Sequence, residues 1–280
     1  MPIEAELKSD IELLKTAAVA AGIIAIGFFR RDPRQWEKAN NSPVSEADIE
    51  VDDYLRGALT GARPDYGWLS EESGEEGRRT RQRVFVVDPI DGTRAFLRGD
   101  EGWVISLAVV EAGLPIAAVI YAPAADELFE ATRGGGARRN GMPISTPQKQ
   151  ADSMAVIPAP NTVHRELQAM GVAFERGRYL PSLAYRLMQV VTGTADAAVA
   201  RRGAHDWDIA AAALILAECG VQFEDICVGR PVFDRESTQH GALLAVRSPD
   251  LRPVLHKALK AVYGCPSEER EEQAREQRIT

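Results

Sequence analysis

The stretch VFVVDPIDGT, residues 84–93, decides how the rest of the chain is interpreted. It begins with four apolar residues of β-branched and aromatic type, which predict a buried strand. The strand ends on Asp88, and a second carboxylate follows three residues later at Asp91. The proline between them restricts the backbone, and Gly92 permits a close backbone approach. The stretch therefore predicts two carboxylates on a rigid turn, with the carbonyl of Ile90 between them.

Oxygen ligands in this arrangement suit a hard cation such as Mg²⁺. A D-x-x-D pair alone is more typical of turns and helix caps, where aspartate is common. Two further acidic sites favour a metal. Glu71 and Glu72 end another short apolar run, and Asp206 and Asp208 begin a strongly apolar helix. Carboxylates at the ends of buried elements repel one another unless cations lie between them. The pattern therefore predicts a site for several metal ions.

The segments on either side predict alternating helices and strands. Ser45 to Asp48 forms a capping box that begins a helix, and Asn140-Gly141 marks a tight turn. Residues 74–83 and 134–139 are predicted to be loops. We predict helices over 4–30, 45–61, 162–170, 182–191, 206–219 and 250–263, and strands over 84–87, 103–110, 114–122, 127–132, 221–226 and 242–247.

This order predicts a layered α/β protein with two lobes. The N-terminal lobe, residues 1–150, contains most of the acidic sites, and the C-terminal lobe covers 151–265. Residues 266–280 are almost wholly polar and charged, so we expect a frayed tail.

Composition excludes several classes of protein. The 280 residues are 45% hydrophobic and 26% charged, which excludes a disordered or collagen-like chain. A formal charge of −8 argues against binding to a nucleic acid polymer. The longest apolar run, 17–29, is shorter than the about 20 residues of a membrane span, so we expect no membrane partner. Cys219, Cys227 and Cys265 fit neither a disulfide framework nor a zinc site, which predicts a reducing, cytoplasmic location.

Three motifs together resemble the signatures of the inositol monophosphatase superfamily. These are the segments 70–73 (SEES), 88–93 (DPIDGT) and 207–208 (WD), in the expected order. Residues 38–48 resemble the upstream segment of that family, and the resemblance covers about residues 5–263. It implies an αβαβα layered sandwich, of the kind shared with fructose-1,6-bisphosphatase, with a metal site between the lobes. It also implies a Mg²⁺-dependent phosphomonoester hydrolase.

The resemblance assigns roles to the acidic residues. Glu71, Asp88 and the carbonyl of Ile90 would hold one Mg²⁺. Asp88, Asp91 and Asp208 would hold a second, and a third, weaker ion would bind through Glu71 and waters. Metal ions of this kind activate water near neutral pH and neutralise charge on the phosphate.

Other residues would orient the reaction. Thr93, hydrogen-bonded to Asp48, would orient and help to deprotonate the attacking water, and we place Glu72 in the same catalytic group. The backbone at Gly92 and Thr93 would hold the phosphate.

The substrate is predicted from departures within the resemblance. Inositol-specific members have an acidic residue seven positions before the aspartate of their W-D pair, where this chain has Arg201, followed by Arg202. Arginine cannot accept a hydroxyl proton but grips a phosphate bidentately. With Arg94 and Ser182 also on the substrate side, we favour 3′-phosphoadenosine 5′-phosphate. This makes the chain most similar to the 3′(2′),5′-bisphosphate nucleotidases.

Two alternatives stay open at this point. One is an inositol-1-phosphate or broader sugar-phosphate monophosphatase, in which Arg201 and Arg202 belong to a solvated turn. The other is a regulatory or RNA-associated protein with secondary catalysis, a role suggested for some superfamily members. The resemblance also implies Li⁺ sensitivity and allows a homodimer.

Overall fold

The structure, a computed structural model, describes residues 2–38, 42–144 and 153–265. Its first half contains three helices and ten strands. These elements are α1 (Pro2–Phe28), β1 (Gln35–Glu37), β2 (Pro43–Ser45), α2 (Glu46–Ala62), β3 (Gly67–Ser70), β4 (Gly74–Glu76), β5 (Arg83–Asp91), α3 (Thr93–Leu97), β6 (Val104–Glu111), β7 (Leu114–Ala122), β8 (Glu127–Thr132), β9 (Gly136–Arg139) and β10 (Met142–Pro143).

The second half of the described chain is richer in helix. It comprises β11 (Ala155–Val156), α4 (Asn161–Ala169), β12 (Phe174–Glu175), α5 (Leu183–Thr192), β13 (Ala197–Ala200), α6 (Asp206–Glu218), β14 (Gln222–Asp225), β15 (Leu243–Val246), a 3₁₀ turn (Pro249–Leu251) and α7 (Arg252–Tyr263).

An eight-stranded sheet is formed by strands of the first half of the chain, in the order β10-β9-β8-β7-β6-β5-β3-β4. Neighbouring strands are antiparallel except β3 and β5, which are parallel. The parallel pair brings the ends of β3 and β5 to the same edge. Glu71 and Asp88 therefore come close together.

Both faces of this sheet are buried. Phe85, Val87 and Leu107 pack on the side of α1 and α2, whereas Val86 and Ala108 pack on the side of α5 and α6. The alternation follows from the two-residue period of a strand. Helices on both faces explain why β5 is a nearly continuous apolar run rather than an alternating one.

A second sheet, in the order β13-β15-β14, lies beyond α5 and α6. Its other face packs on α4 and α7 through residues such as Val199, Leu244 and Leu255. Helices and sheets thus form five layers, αβαβα, which confirms the predicted fold class. The predicted boundary between the two lobes, at about residue 150, falls in the segment 145–152, which lies outside the described residues. The predicted tail, 266–280, also lies outside them.

Helix α1 is long and apolar enough, from Ala5 to Phe28, to cross a membrane by length and composition alone. A core helix passes the same test. Here Leu14, Ala18 and Ala21 are fully buried in the core cluster that includes α2 and β7. The packing is that of a core helix with one exposed face.

Some of the predicted elements are wrong in detail. The loop predicted over 74–83 contains β4, and the loop predicted over 134–139 contains β9, which pairs with β8. Strand β13, with the sequence AAVA, was not predicted, because alanine is a poor strand former and the segment is stabilised only by its pairing with β15. The tight turn at Asn140-Gly141 is confirmed between β9 and β10.

The expectation that the cysteines form no disulfide is wrong. Cys227 and Cys265 are bonded, with their Cα atoms 5.6 Å apart, whereas Cys219 forms no disulfide within the described part of the chain. The two partners are 38 residues apart, so nothing in their local spacing identified them. The prediction of a reducing, cytoplasmic location loses this support.

Candidate metal centre and substrate pocket

Three aspartates converge where β5 and the beginning of α6 meet. Asp88 and Asp91 lie on β5 on either side of a shift in its pairing with β6, and Asp208 lies in the first turn of α6. One carboxylate oxygen from each of the three lies within 4.8 Å of the others. The structure thus brings together the three aspartates that the sequence predicted as ligands.

Asp88 is the least compensated of the three. It is 1% exposed, and neither of its carboxylate oxygens has a hydrogen-bond partner among the described residues. Burial, followed by the charges of Glu71 and Asp91, holds the pKa of Asp88 well above its usual range. A buried, unpartnered carboxylate is costly unless a cation accompanies it. The donor set therefore fits a hard, oxygen-preferring metal ion.

Asp91 is held by the beginning of α5. Its carboxylate accepts hydrogen bonds from the Ser182 hydroxyl at 2.6 Å and from the backbone N–H of Ala184 at 2.7 Å. Burial raises the pKa of Asp91 to about 6, although these hydrogen bonds favour the ionised form. Ser182, predicted on the substrate side, is fully buried. Its position fits a residue that orients Asp91 rather than one that contacts substrate.

Asp208 forms part of a capping box at the beginning of α6. Its carboxylate accepts a hydrogen bond from the backbone N–H of His205 at 2.5 Å. Burial, followed by the charges of Asp91 and Glu71, raises the pKa of Asp208 well above its usual range. This cap orients the side chain of Asp208 towards the other two aspartates.

Thr93 begins the short helix α3 beside the aspartates. Its hydroxyl lies 3.0 Å from Asp48 Oδ1 and 3.2 Å from the carbonyl oxygen of Ile90. The other oxygen of Asp48 accepts from the backbone N–H of Ser45 at 2.8 Å, as the predicted capping box requires. Burial raises the pKa of Asp48 to about 6 against these hydrogen bonds.

Gly92 makes the turn between β5 and α3 possible. Its φ of 98° lies in the left-handed region that favours glycine. A Cβ at this position would lie 3.0 Å from the carbonyl oxygen of Gly102 and 3.1 Å from Ser182 Cβ. A side chain at residue 92 would therefore disturb the segment that positions Asp91.

Glu71 and Glu72 lie beside the aspartates, and both form ion pairs with the same lysine, Lys38. Lys38 Nζ is 2.9 Å from Glu71 Oε1 and 2.6 Å from Glu72 Oε1. Burial raises the pKa of Glu72 to about 7 despite Lys38. Burial lowers the pKa of Lys38, but the two glutamates outweigh it and the net shift is upward. Lys38 lies in the upstream segment that resembles the family, but its contact with the two glutamates was not predicted from the sequence.

The predicted arginines surround a pocket of about 620 Å³ that Asp91 and Asp208 also line. Arg94 enters it from α3, and Arg201 and Arg202 enter it from the turn after β13. In a chain with an overall charge of −8, this group makes one local positive surface beside the carboxylates. The volume is typical of a small-molecule site.

Sequence reasoning missed three further residues of this pocket, Arg186, Tyr179 and Tyr263. The Arg186 guanidinium lies 4.3 Å from the centre of the Tyr179 ring, and burial lowers its pKa. An arginine on the otherwise apolar inner face of α5 is the signal that was available. Tyr263, at the end of α7, is brought in only by the fold.

His205 precedes Asp206 at the beginning of α6. Its ring stacks on Trp207 with centroids 4.4 Å apart, and its Nδ1 lies 2.7 Å from the Thr238 hydroxyl. One face of the ring and its Nδ1 are thus engaged by neighbouring residues, which fits a packing role.

The sequence is similar to those of known proteins. The profile of the inositol monophosphatase family matches residues 6–262. An inositol-1-monophosphatase of Mesorhizobium japonicum is 33% identical over 222 residues, which cover 74% of this chain and 83% of that protein. The 3′(2′),5′-bisphosphate nucleotidase CysQ of Escherichia coli is 38% identical over a shorter stretch of 99 residues, covering 35% of this chain and 40% of that protein.

Solved structures show the same architecture. The extragenic suppressor protein suhB of Bartonella henselae superimposes with a TM-score of 0.80 at 29% identity, covering 90% of this chain and 98% of that one. The shared architecture therefore extends over nine-tenths of this chain.

Proposed function

The chain belongs to the inositol monophosphatase family and is therefore a phosphatase, and on that premise we propose that it is a Mg²⁺-dependent phosphomonoesterase whose preferred substrate is 3′-phosphoadenosine 5′-phosphate. The products would be AMP and phosphate. The observation that carries the metal dependence is Asp88, whose two buried oxygens have no partner in the described structure. The arginines of the pocket carry the substrate preference.

The metal ligands proposed are those that the family resemblance assigns. Glu71, Asp88 and the carbonyl of Ile90 would hold one Mg²⁺; Asp88, Asp91 and Asp208 would hold a second. A third ion would bind through Glu71 and waters. When bound, such ions lower the pKa of water and neutralise charge on the phosphate.

The chain's own residues supply orientation and a proton acceptor. Because the Thr93 hydroxyl donates to Asp48 Oδ1, a lone pair on Thr93 Oγ1 is left to accept a hydrogen bond from the attacking water. A proton lost by that water then passes through Thr93 to Asp48. A pKa of about 6 suits Asp48 to this role at neutral pH. Glu72, with a pKa of about 7, is the second proposed proton acceptor.

The substrate preference is supported by charge. Arg94, Arg201 and Arg202 line the pocket that also contains two of the proposed metal ligands. Metal ions held by these carboxylates would bind the scissile phosphate, and the arginines that line the same pocket would then be available to the rest of the substrate. Arginine binds a second phosphate bidentately, whereas the hydroxyl groups of inositol offer it no anionic partner. A doubly phosphorylated substrate therefore fits better than inositol 1-phosphate.

The direct test compares phosphate release from 3′-phosphoadenosine 5′-phosphate and from inositol 1-phosphate, with Mg²⁺ and with or without millimolar Li⁺. We expect a preference of at least about tenfold in kcat/KM for the bisphosphate, equivalent to about 1.4 kcal/mol. Inhibition by Li⁺ is expected with either substrate. A preference for inositol 1-phosphate would refute the substrate proposal.

Two sets of variants separate the substrate proposal from the metal proposal. Arg201→Gln with Arg202→Gln should raise KM for the bisphosphate while leaving inositol 1-phosphate unaffected. Arg98→Gln is the matched control, because Arg98 pairs with the exposed Asp100 and does not line the pocket. Asp91→Asn should abolish turnover of both substrates. Activity that survived in Asp91→Asn would contradict the metal assignment.

A further inference from the structure

Two tyrosines in the substrate pocket have no role in the proposed chemistry. Tyr179 is 47% exposed, and the guanidinium of Arg186 covers one face of its ring. Tyr263 is half-buried at the end of α7 and is hydrogen-bonded to Thr162. Both rings line the same pocket as Asp91.

The chemistry of this wall suits a planar ring. A tyrosine offers a flat apolar face with low conformational freedom, and aromatic side chains stack on nucleobases largely independently of base identity. Arg186 is already buried and fixed by the carbonyl oxygen of Leu180, so it holds Tyr179 rather than following a ligand. The pocket of about 620 Å³ is large enough for a nucleoside phosphate. A small polyol would leave the two rings without contact.

The position of Tyr263 depends on a covalent link. Cys265 follows it by two residues and is bonded to Cys227, which lies just after β14. The Cys227 backbone N–H donates to the buried Asp225 at 2.9 Å, and Asp225 also accepts from Gly241 N–H. The disulfide therefore ties the end of α7 to a rigid turn of the second sheet.

We propose that Tyr179 and Tyr263 form a subsite for the planar ring of a nucleotide leaving group, and that the Cys227–Cys265 disulfide holds Tyr263 in that subsite. The inference deepens the proposed function and rests on it for the identity of the substrate. In this arrangement the carboxylates position the scissile phosphate, the arginines bind the second phosphate, and the tyrosines select for the ring.

Kinetics with two substrates test the subsite. Tyr263→Ala is expected to raise KM for 3′-phosphoadenosine 5′-phosphate by about tenfold or more, with kcat within about twofold. Glycerol 2-phosphate, a monoester without a ring, should be hydrolysed with unchanged kcat/KM. Tyr263→Phe keeps the ring and should restore KM to within about threefold of the unmodified protein. Equal losses with both substrates would show a structural role and overturn the proposal.

Direct binding tests the subsite without catalysis. Calorimetry on the full chain with Mg²⁺ should show AMP binding that weakens about tenfold in Tyr263→Ala, while binding of inorganic phosphate is unchanged. Ring-dependent AMP binding without hydrolysis of the bisphosphate would refute the proposed function and leave the subsite standing. Hydrolysis unaffected by loss of either tyrosine would refute the subsite and leave the function standing.

Reduction tests the role of the disulfide. Dithiothreitol transfers two electrons to the S–S bond by thiol–disulfide exchange, releasing two protein thiols and closing to its own cyclic disulfide. We expect KM for the bisphosphate to rise about threefold or more on reduction, as the ring contact is loosened, while kcat changes little. Cys219→Ser should respond as the unmodified protein does. The double variant Cys227→Ser with Cys265→Ser should have the raised KM and not respond to the reagent.

Two outcomes would refute the disulfide's role. One is an unchanged KM when a thiol assay shows two newly released thiols. The other is the same rise in KM after reduction of the double variant, since that variant has no bond to break.

Discussion

Asp10 and Asp88 are both 1% exposed and lie in the same half of the chain, yet their surroundings differ completely. Asp10, on α1, is paired with Arg63 at 3.0 Å and Arg83 at 3.4 Å, and it accepts a hydrogen bond from the Tyr66 hydroxyl at 2.9 Å. Asp88 has no partner among the described residues and faces other carboxylates instead.

The difference separates a structural carboxylate from a functional one. Burying a charge costs free energy, and partners of opposite charge offset that cost at Asp10. Nothing within the described chain offsets it at Asp88, so the metal-free protein is destabilised locally. The missing partners, more than burial itself, are what support the proposed cation site at Asp88.

The largest effect is expected from Asp88→Asn. If Asp88 is the shared metal ligand that we propose, its loss should lower kcat by about 10³-fold or more. The same change removes a buried unpaired charge, so the Tm measured in EDTA should rise by about 3 °C or more. Activity assays and thermal melts check both results. A fall in the metal-free Tm would show that Asp88 is compensated after all.

Asp10→Asn should have the opposite pattern. It leaves Arg63 and Arg83 without this negative partner, and we expect a loss of about 2 kcal/mol in the free energy of unfolding. The kcat should stay within about twofold. Asp65→Asn is the matched control, because Asp65 is 94% exposed and its ion pair with Arg81 is 3.6 Å long, so its loss should cost under about 0.5 kcal/mol. Equal losses from both variants would contradict the comparison.

The effect of Mg²⁺ on stability should depend on pH. Burial raises the pKa of Asp91 and Asp48 to about 6 and that of Asp88 and Asp208 well above the usual value. The folded protein therefore holds protons that the unfolded chain releases, and the metal-free protein loses stability as the pH rises from about 4 through 6. Mg²⁺ replaces these protons. The rise in Tm on adding Mg²⁺ should be larger at pH 7.5 than at pH 5; equal rises would refute the interpretation.

Lys38→Met should give the smallest effect. The charges of Glu71 and Glu72 are compensated less than that of Asp10 and more than that of Asp88, because a single lysine pairs with both glutamates. Without that competing cation, the Mg²⁺ concentration for half-maximal activity should fall by about threefold. Lys15→Met is the control, because Lys15 also pairs with a glutamate, Glu130, but does not line the substrate pocket. A rise in the Mg²⁺ requirement would show that Lys38 supports metal binding.

Local patterns were sufficient for much of the fold. Strands β6 and β7 lie within one residue of their predicted positions, because each is a continuous apolar run bounded by turn residues. The capping box at Ser45 and Asp48 placed the beginning of α2 correctly. Strand β13 was missed, since its alanines have no local preference for strand and only β15 stabilises it.

The residues of the candidate site also fall into a predicted group and a group that was missed. The DPIDGT stretch and Asp208 identified the three aspartates, because carboxylates at the ends of buried elements are unusual enough to stand out in a sequence. Glu71 and Glu72 were also identified, but the lysine that pairs with them was not. Contacts of this kind join residues 33 and 34 positions apart, and no local pattern encodes them.

What the sequence determined by itself was the layered fold class and the set of acidic residues, since both follow from local periodicity and residue chemistry. The tertiary structure alone decided which partners these residues have. It placed Ser182 under Asp91, brought Tyr263 into the pocket, and joined Cys227 to Cys265. The physical reason is that pairing, desolvation and covalent links depend on distances in space, and those distances are set only when all five layers pack together.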